Sequence, residues 1–219
     1  MIISKRQKIS QGWYLDINVI RYLNILSKEE GEWFDDTLIY SAVNQQRSLF
    51  LSVYHESPEI GYRFEKYIPH CRKFGRFDFD SLENEYTIFT SLFIKDILIE
   101  LDKYLNSENL PLVELDIYGG WKICKNNLLD NIQDYKDAEF LFFATNEKLF
   151  IDISYIKKDV KPFKIFLGQS RYPLAGFVLV VEKVQNSLSF EFENMNEVVD
   201  LIEKFVDKSI NPPIDWNIF

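Results

Sequence analysis

Leu49-Phe50-Leu51-Ser52-Val53-Tyr54 and Leu149-Phe150-Ile151-Asp152-Ile153-Ser154-Tyr155, one hundred positions apart, are near copies of one another. Both alternate with the period of a half-buried strand, with Leu49, Leu51 and Val53 answered by Leu149, Ile151 and Ile153. The outward positions differ: Phe50, Ser52 and Tyr54 stand in the first copy, and Phe150, Asp152 and Ser154 in the second. Neither copy holds chemistry, so the strand is structural and any function belongs to the differences between the two halves.

Around this pair the chain spells a repeated plan. Leu38 to Val43 and Leu49 to Tyr54 flank a polar turn, which predicts a hairpin, and Phe140 to Ala144 with Leu149 to Tyr155 predicts its counterpart. Tyr62, Phe64 and Lys66 suggest a short edge strand, matched later by Phe163, Ile165 and Leu167. A second strand pair is expected across Glu83-Asn84, and its counterpart across Val184-Gln185-Asn186. Ile94, Ile97, Leu98, Leu101, Tyr104 and Leu105 form one apolar helical stripe, and Met195, Val198, Val199, Ile202, Phe205 and Val206 repeat it. Helical spacing from Trp13 through Leu26 predicts an opening helix, with a weaker one from Trp121 to Ile132, and Leu115-Asp116-Ile117 echoes Leu15-Asp16-Ile17. The expected fold is therefore α+β in two similar units, residues 1–109 and 110–219. Each unit is a mostly antiparallel sheet of about four or five strands flanked by an N-terminal and a C-terminal helix. The two units are expected to be an internal duplication, able to pack as one globule.

Composition sets the class. The 219 residues are 47% hydrophobic and 16% aromatic, enough to bury a core without metal or disulfide staples. The net charge of −9 opposes nonspecific binding to nucleic acid or an anionic membrane, since phosphate requires a basic field. Acidity is spread evenly: 17 acidic and 13 basic residues in 1–109, and 17 and 12 in 110–219. Cys71 and Cys124 make no disulfide framework, and the N-terminus lacks the apolar run of a signal peptide. A cytoplasmic protein with reduced thiols is expected.

Phosphate loops, nucleophile elbows and paired metal-binding histidines are missing from the sequence. No cofactor, metal or catalytic residue is assigned. His55, Glu59 and His70 are the best remaining candidates for an enzyme site in the 55–76 loop, but no spacing fixes them together. The alternative to chemistry is docking. Asp78, Asp80, Glu83 and Glu85 form an acidic run on one expected hairpin, and Trp33 and Phe34 stand beside Asp35 and Asp36 as an aromatic anchor with carboxylates. Trp13 and Trp121 are read as core. These features point to a non-catalytic, acidic protein with a basic protein partner, of the immunity-protein kind that covers the basic active site of a cognate bacterial toxin. A self-associating accessory or scaffold protein and an enzyme in the 55–76 loop are the alternatives.

Overall fold

The computed structural model describes residues 6–18, 20, 37–44, 49–57, 59–69, 72–73, 76–77, 82–117, 119–146, 149–170 and 184–209. Twelve strands are present among them: β1 (Trp13–Asn18), β2 (Thr37–Asn44), β3 (Leu49–Ser57), β4 (Gly61–Pro69), β5 (Arg72–Lys73), β6 (Arg76–Phe77), β7 (Leu82–Ser91), β8 (Trp121–Asn126), β9 (Glu139–Asn146), β10 (Leu149–Tyr155), β11 (Phe163–Ser170) and β12 (Val184–Phe192). Among the described residues two α-helices accompany them, α1 (Ile94–Leu105) and α2 (Met195–Lys208), and a 3-10 turn spans Ile132–Asp134. Ten strands form one antiparallel sheet in the order β12-β11-β10-β9-β8-β1-β2-β3-β4-β7, while β5 and β6 pair separately.

This corrects the expected fold class. The described residues do not build a separate sheet for each half; one sheet runs through both halves, and where the two opening helices are expected to begin, Trp13–Asn18 and Trp121–Asn126 are strands. The reason lies in Trp13-Tyr14-Leu15-Asp16. Trp13 and Leu15 are buried and Tyr14 and Asp16 exposed, a period of two that wins over the looser helical spacing further on. Trp121 and Ile123 likewise alternate with Lys122. Of the expected helix from Trp13 to Leu26, the part at 21–26 lies outside the described residues.

The two hairpins form where the sequence places them, with Leu51 opposite Ala42 and Ile151 opposite Ala144. The closing helices also form on their predicted stripes. The strand after the first hairpin is nine residues long and lies between β3 and β7, so it is an interior strand and not a short edge. Glu83-Asn84 and Val184-Gln185-Asn186 are not turns: the first lies within β7 and the second opens β12.

The halves meet where β1 pairs with β8, Tyr14 opposite Lys122 and Leu15 opposite Trp121. Nearby, Gln7 and Leu115 exchange two backbone hydrogen bonds of 3.0 Å. Tyr14 and Lys122 are 108 positions apart, as are Gln7 and Leu115, so residues pair with their own counterparts, which defines a quasi-two-fold axis through this seam. Buried amides obey the same relation: Asn18 Nδ2 donates to the Ile117 carbonyl at 2.7 Å and Asn126 Nδ2 to the Ile9 carbonyl at 2.7 Å. Leu15 thus corresponds to Ile123, not to Leu115 as the sequence echo suggests. Gly12 and Gly120 also correspond, at φ +93° and +89°, each beside the asparagine that ends the next strand, Asn44 or Asn146.

Both helices pack on one sheet face over a single core that holds Trp13, Trp121, Leu51, Ile151, Phe64 and Ile165. Alternate residues point to the other face, where two smaller clusters form: Val43, Phe50 and Tyr67 in the first half, and Cys124, Phe143 and Phe150 in the second. On that face Phe50 lies beside Tyr67 at a centroid distance of 5.6 Å, whereas Phe150 lies over Gly168, where an added Cβ would sit 2.1 Å from the ring tip. Overpacking of this kind typically costs about 1–3 kcal/mol. Gly168→Ala is therefore expected to lower the unfolding free energy by about that amount in urea denaturation, and Phe150→Leu in the same chain to restore part of it. Equal stability of Gly168→Ala and the parent chain would show that the ring yields without cost.

Candidate functional site

A quasi-symmetric scaffold offers an internal comparison: each position has a counterpart in the same sheet, and departures between counterparts mark what the fold alone does not demand. Three regions of the first half depart most.

The first is the face away from the helices. In register across the sheet stand Ser41, Ser52 and Glu65, whose counterparts are Phe143, Asp152 and Phe166. Arg63 Nε lies 2.6 Å from Glu56 Oε1 and 2.9 Å from Glu65 Oε1, and its guanidinium sits 5.0 Å from the centre of the Tyr54 ring. Tyr67 donates its hydroxyl to Glu65 Oε2. Burial first, then the bonds to Glu65 and Tyr54, push the Tyr67 hydroxyl well above its ordinary range. Glu65 is only 1% exposed, so its charge is tolerated through this pairing. These pairings tie β3 to β4 on this face.

In the second half the same face carries the cluster of Cys124, Phe143, Phe150 and Phe166. Asp152 stands between Phe143 and Phe166 in the ladder, and burial pushes its carboxyl up to about 6. Cys124 is a free, buried thiol whose ionisation is opposed by burial, which leaves it unreactive.

The second region is the tip where β7 enters α1. Leu92 and Phe93 are 57% and 63% exposed, and Ile60, in the turn before β4, and Ile99, on the helix, are exposed as well. The turn and the tip are held close, for a Cβ on Gly61 would lie 2.4 Å from the Ser91 carbonyl oxygen. The counterparts of Leu92, Phe93 and Ile99 are Glu193, Asn194 and Asp200. Asn194 is the N-cap of α2: its Oδ1 accepts from the Glu197 amide at 3.1 Å, and its Nδ2 donates to Glu197 Oε2 at 2.9 Å. Phe93 holds the same position on α1 and caps nothing, although Ser91 Oγ partly substitutes by accepting from the Phe93 amide at 3.1 Å and donating to Asp96 at 2.8 Å. An exposed aromatic thus occupies a place where the fold's own answer is a polar cap.

The third region lies under α1 around Asp102, where Tyr40 is fully buried and its hydroxyl has no hydrogen bond.

The residues expected from sequence fall elsewhere. Trp33, Phe34, Asp35, Asp36, Asp78 and Asp80 lie outside the described residues. Glu83 and Glu85 are on β7, not on a hairpin turn, with Glu83 opposite Ile68. Trp13 and Trp121 are fully buried core residues, as expected. His55 pairs with Tyr62 across the β3–β4 ladder and packs edge-on against its ring at 5.1 Å; Glu59 is exposed in the following turn, and His70 lies outside the described residues. Among the described residues no three His, Cys, Asp or Glu side chains are grouped to hold a metal ion, and no helix is long and apolar enough to cross a membrane. Phe93 was missed because an apolar residue just ahead of a helical stripe looks like part of that stripe; the missing Asn, Asp, Ser or Thr at the cap was the available signal. Compared with family models, curated proteins and solved structures, the chain matches none.

Two outcomes follow for stability. Because the Asp152 carboxyl is raised in the folded state, its contribution favours folding at low pH and turns into a penalty as pH rises from about 4 to 6. Asp152→Asn is expected to remove that decline and to gain about 1 kcal/mol at pH 7–8 after allowance for solvent screening, read from urea midpoints across the pH range. Phe93→Asn, which gives α1 the cap that α2 has, is expected to raise the unfolding free energy by about 0.5–1 kcal/mol, while Asn194→Phe lowers it by a similar amount.

Proposed function

We propose that this chain is a non-catalytic protein-binding protein, an inhibitor of the immunity type that neutralises a toxin by covering its basic active site. The observation that carries the reading is the tip of the first half, where Leu92, Phe93 and Ile99 replace Glu193, Asn194 and Asp200 at the cost of a helix cap. An aromatic side chain left exposed where a polar one would stabilise the fold is the kind of anchor that dominates protein interfaces. The acidic residues expected to face a basic partner include Glu83 and Glu85, and the strand that carries them runs directly into Leu92 and Phe93. From Glu85 to Ser91 the strand spans about 20 Å, so both features fit within the footprint of one standard interface. The net charge of −9 accelerates encounter with a basic protein and disfavours nucleic acid.

Such a protein acts by occlusion. The apolar tip supplies desolvated contact area, and the carboxylates steer and orient the partner without any bond being made or broken. The test is co-expression with the products of adjacent genes, followed by co-purification and growth rescue. A complex that forms with the parent chain is expected to weaken at least about thirtyfold with Phe93→Asn, a hot-spot-sized loss, although that variant is the more stable protein. The mirror change, Asn194→Phe, is expected to leave binding unaltered. The reading is lost if no neighbouring product forms a complex or relieves growth arrest, or if Phe93→Asn binds as tightly as the parent chain.

A further inference from the structure

Each helix faces one charged residue from the extended segment that leads into the opposite half. On α2 this is an ion pair: Arg6 Nε lies 2.8 Å from Glu203 Oε1, its Nη2 donates to Glu203 Oε2 at 2.8 Å, and the same guanidinium is 3.6 Å from Asp200 Oδ1. Glu203 Oε1 also accepts the Asp116 amide at 3.1 Å. The seam relation that pairs Gln7 with Leu115 carries Arg6 to Glu114, and the relation between the helices carries Glu203 to Asp102 and Asp200 to Ile99. The matching place on α1 therefore holds two carboxylates and an exposed isoleucine where its counterpart holds a closed arginine–carboxylate group.

The place is left polar and incomplete. Asp102 Oδ1 is buried without a hydrogen bond, and so is the hydroxyl of Tyr40, which comes up from β2 beneath the helix where the second half has Phe142. Burial and then the charge of Glu114 raise the Asp102 carboxyl to about 7, with Lys8 opposing. Burial, then the charge of Asp102, raises the Tyr40 phenol, which ties the two groups together in space. Lys8 is the nearby cation, and its Nζ is 3.5 Å from Asp130 Oδ2. A buried carboxylate oxygen and a buried hydroxyl without partners are costly, and both can accept from a guanidinium.

We propose that Asp102 and Glu114, above the Tyr40 hydroxyl, form the seat for an arginine side chain of a basic protein partner, which supplies the guanidinium that Arg6 supplies to the other half. The seat deepens the reading of a basic partner and rests on it for the identity of the occupant. Arginine suits it better than lysine, since its planar fork spans two carboxylates as Arg6 spans Glu203 and Asp200. The seat lies on the same helix as the apolar tip, nine positions and about 14 Å of helical rise beyond Phe93.

The seat can be probed without the partner. Acetyl-Gly-Arg-Gly-amide is titrated into carbon-13-labelled protein at pH 7.5, and the side-chain carboxyl resonances of Asp102 and Glu114 are followed, with Asp200 and Glu203 as internal references. Saturable shifts confined to Asp102 and Glu114 are expected, at least about tenfold weaker for the citrulline peptide, which keeps the shape and lacks the charge. Glu114→Arg, which copies the Arg6 arrangement onto α1, is expected to abolish the response and to raise Tm by about 2–4 °C. Equal shifts at all four carboxylates, equal response to citrulline, or a lowered Tm for Glu114→Arg would overturn the proposal. A complex that depends on Phe93 but a peptide that does not bind removes the seat alone; a binding peptide with no toxin partner keeps the seat and removes the inhibitor reading.

Discussion

The meeting of β1 and β8 is the contact on which the rest of the fold depends. Tyr14 with Lys122 and Leu15 with Trp121 are in ladder register there, and the Gly12 amide donates to the Ile123 carbonyl at 2.8 Å and the Gly120 amide to the Leu15 carbonyl at 2.5 Å. Four buried groups complete it: the Asn18 and Asn126 amides, each bound to a carbonyl of the opposite segment, and Trp13 and Trp121, which have no exposed surface. A net hydrogen bond contributes about 0.5–1.5 kcal/mol, whereas truncating a buried tryptophan costs about 3–5 kcal/mol. Packing of the two indoles therefore dominates, and the amides fix the register within which they pack.

The same tryptophans tie the sheet to the helices. Helix C-termini leave carbonyls without intrahelical donors. At the end of α1 the Leu105 carbonyl takes Trp13 Nε1 at 3.0 Å and the Ser10 hydroxyl at 2.6 Å. At the end of α2 Trp121 Nε1 donates to Ser209 Oγ at 3.3 Å, and that hydroxyl donates to the Val206 carbonyl at 2.6 Å. One residue type at one position of the seam thus sets both helix ends, and a disturbance of the seam reaches both layers at once.

This arrangement explains what could be read from the sequence. The hairpins and closing helices were legible because Leu49-Leu51-Val53 and the stripe from Ile94 to Leu105 each carry a single clear period. Trp13 and Trp121 were legible as core but not as strand, because Leu15 and Ile17 continue into Val19, Ile20 and Leu23, and two periods overlap in one apolar stretch. That ten strands join in one sheet was not legible, since the seam is made by a short ladder, a few backbone hydrogen bonds and buried amides whose partners are about a hundred positions away in sequence. Of the acidic residues singled out for a partner, Glu83 and Glu85 stand on β7, and a strand running through Glu83-Asn84 contradicts the rule that polar pairs mark turns. Phe93 and Asp102 could be seen only by laying one half over the other.

A scaffold that repeats itself separates what folding requires from what it merely tolerates. Were stability the only demand, counterparts would converge on the same local solutions, as Gly12 with Gly120 and Trp13 with Trp121 have done. In the first half the helix start, the segment facing the helix and the strand beneath it all depart in the unfavourable direction: Phe93 in place of a capping Asn, Glu114 in place of an Arg, and the unpartnered Tyr40 in place of Phe. Each departure costs free energy that the other half shows how to recover. Because all three belong to α1 and its surroundings, a shared cause is a better account than three independent accidents. An external partner that buries the phenyl ring and neutralises the carboxylates would turn all three from liabilities into contacts.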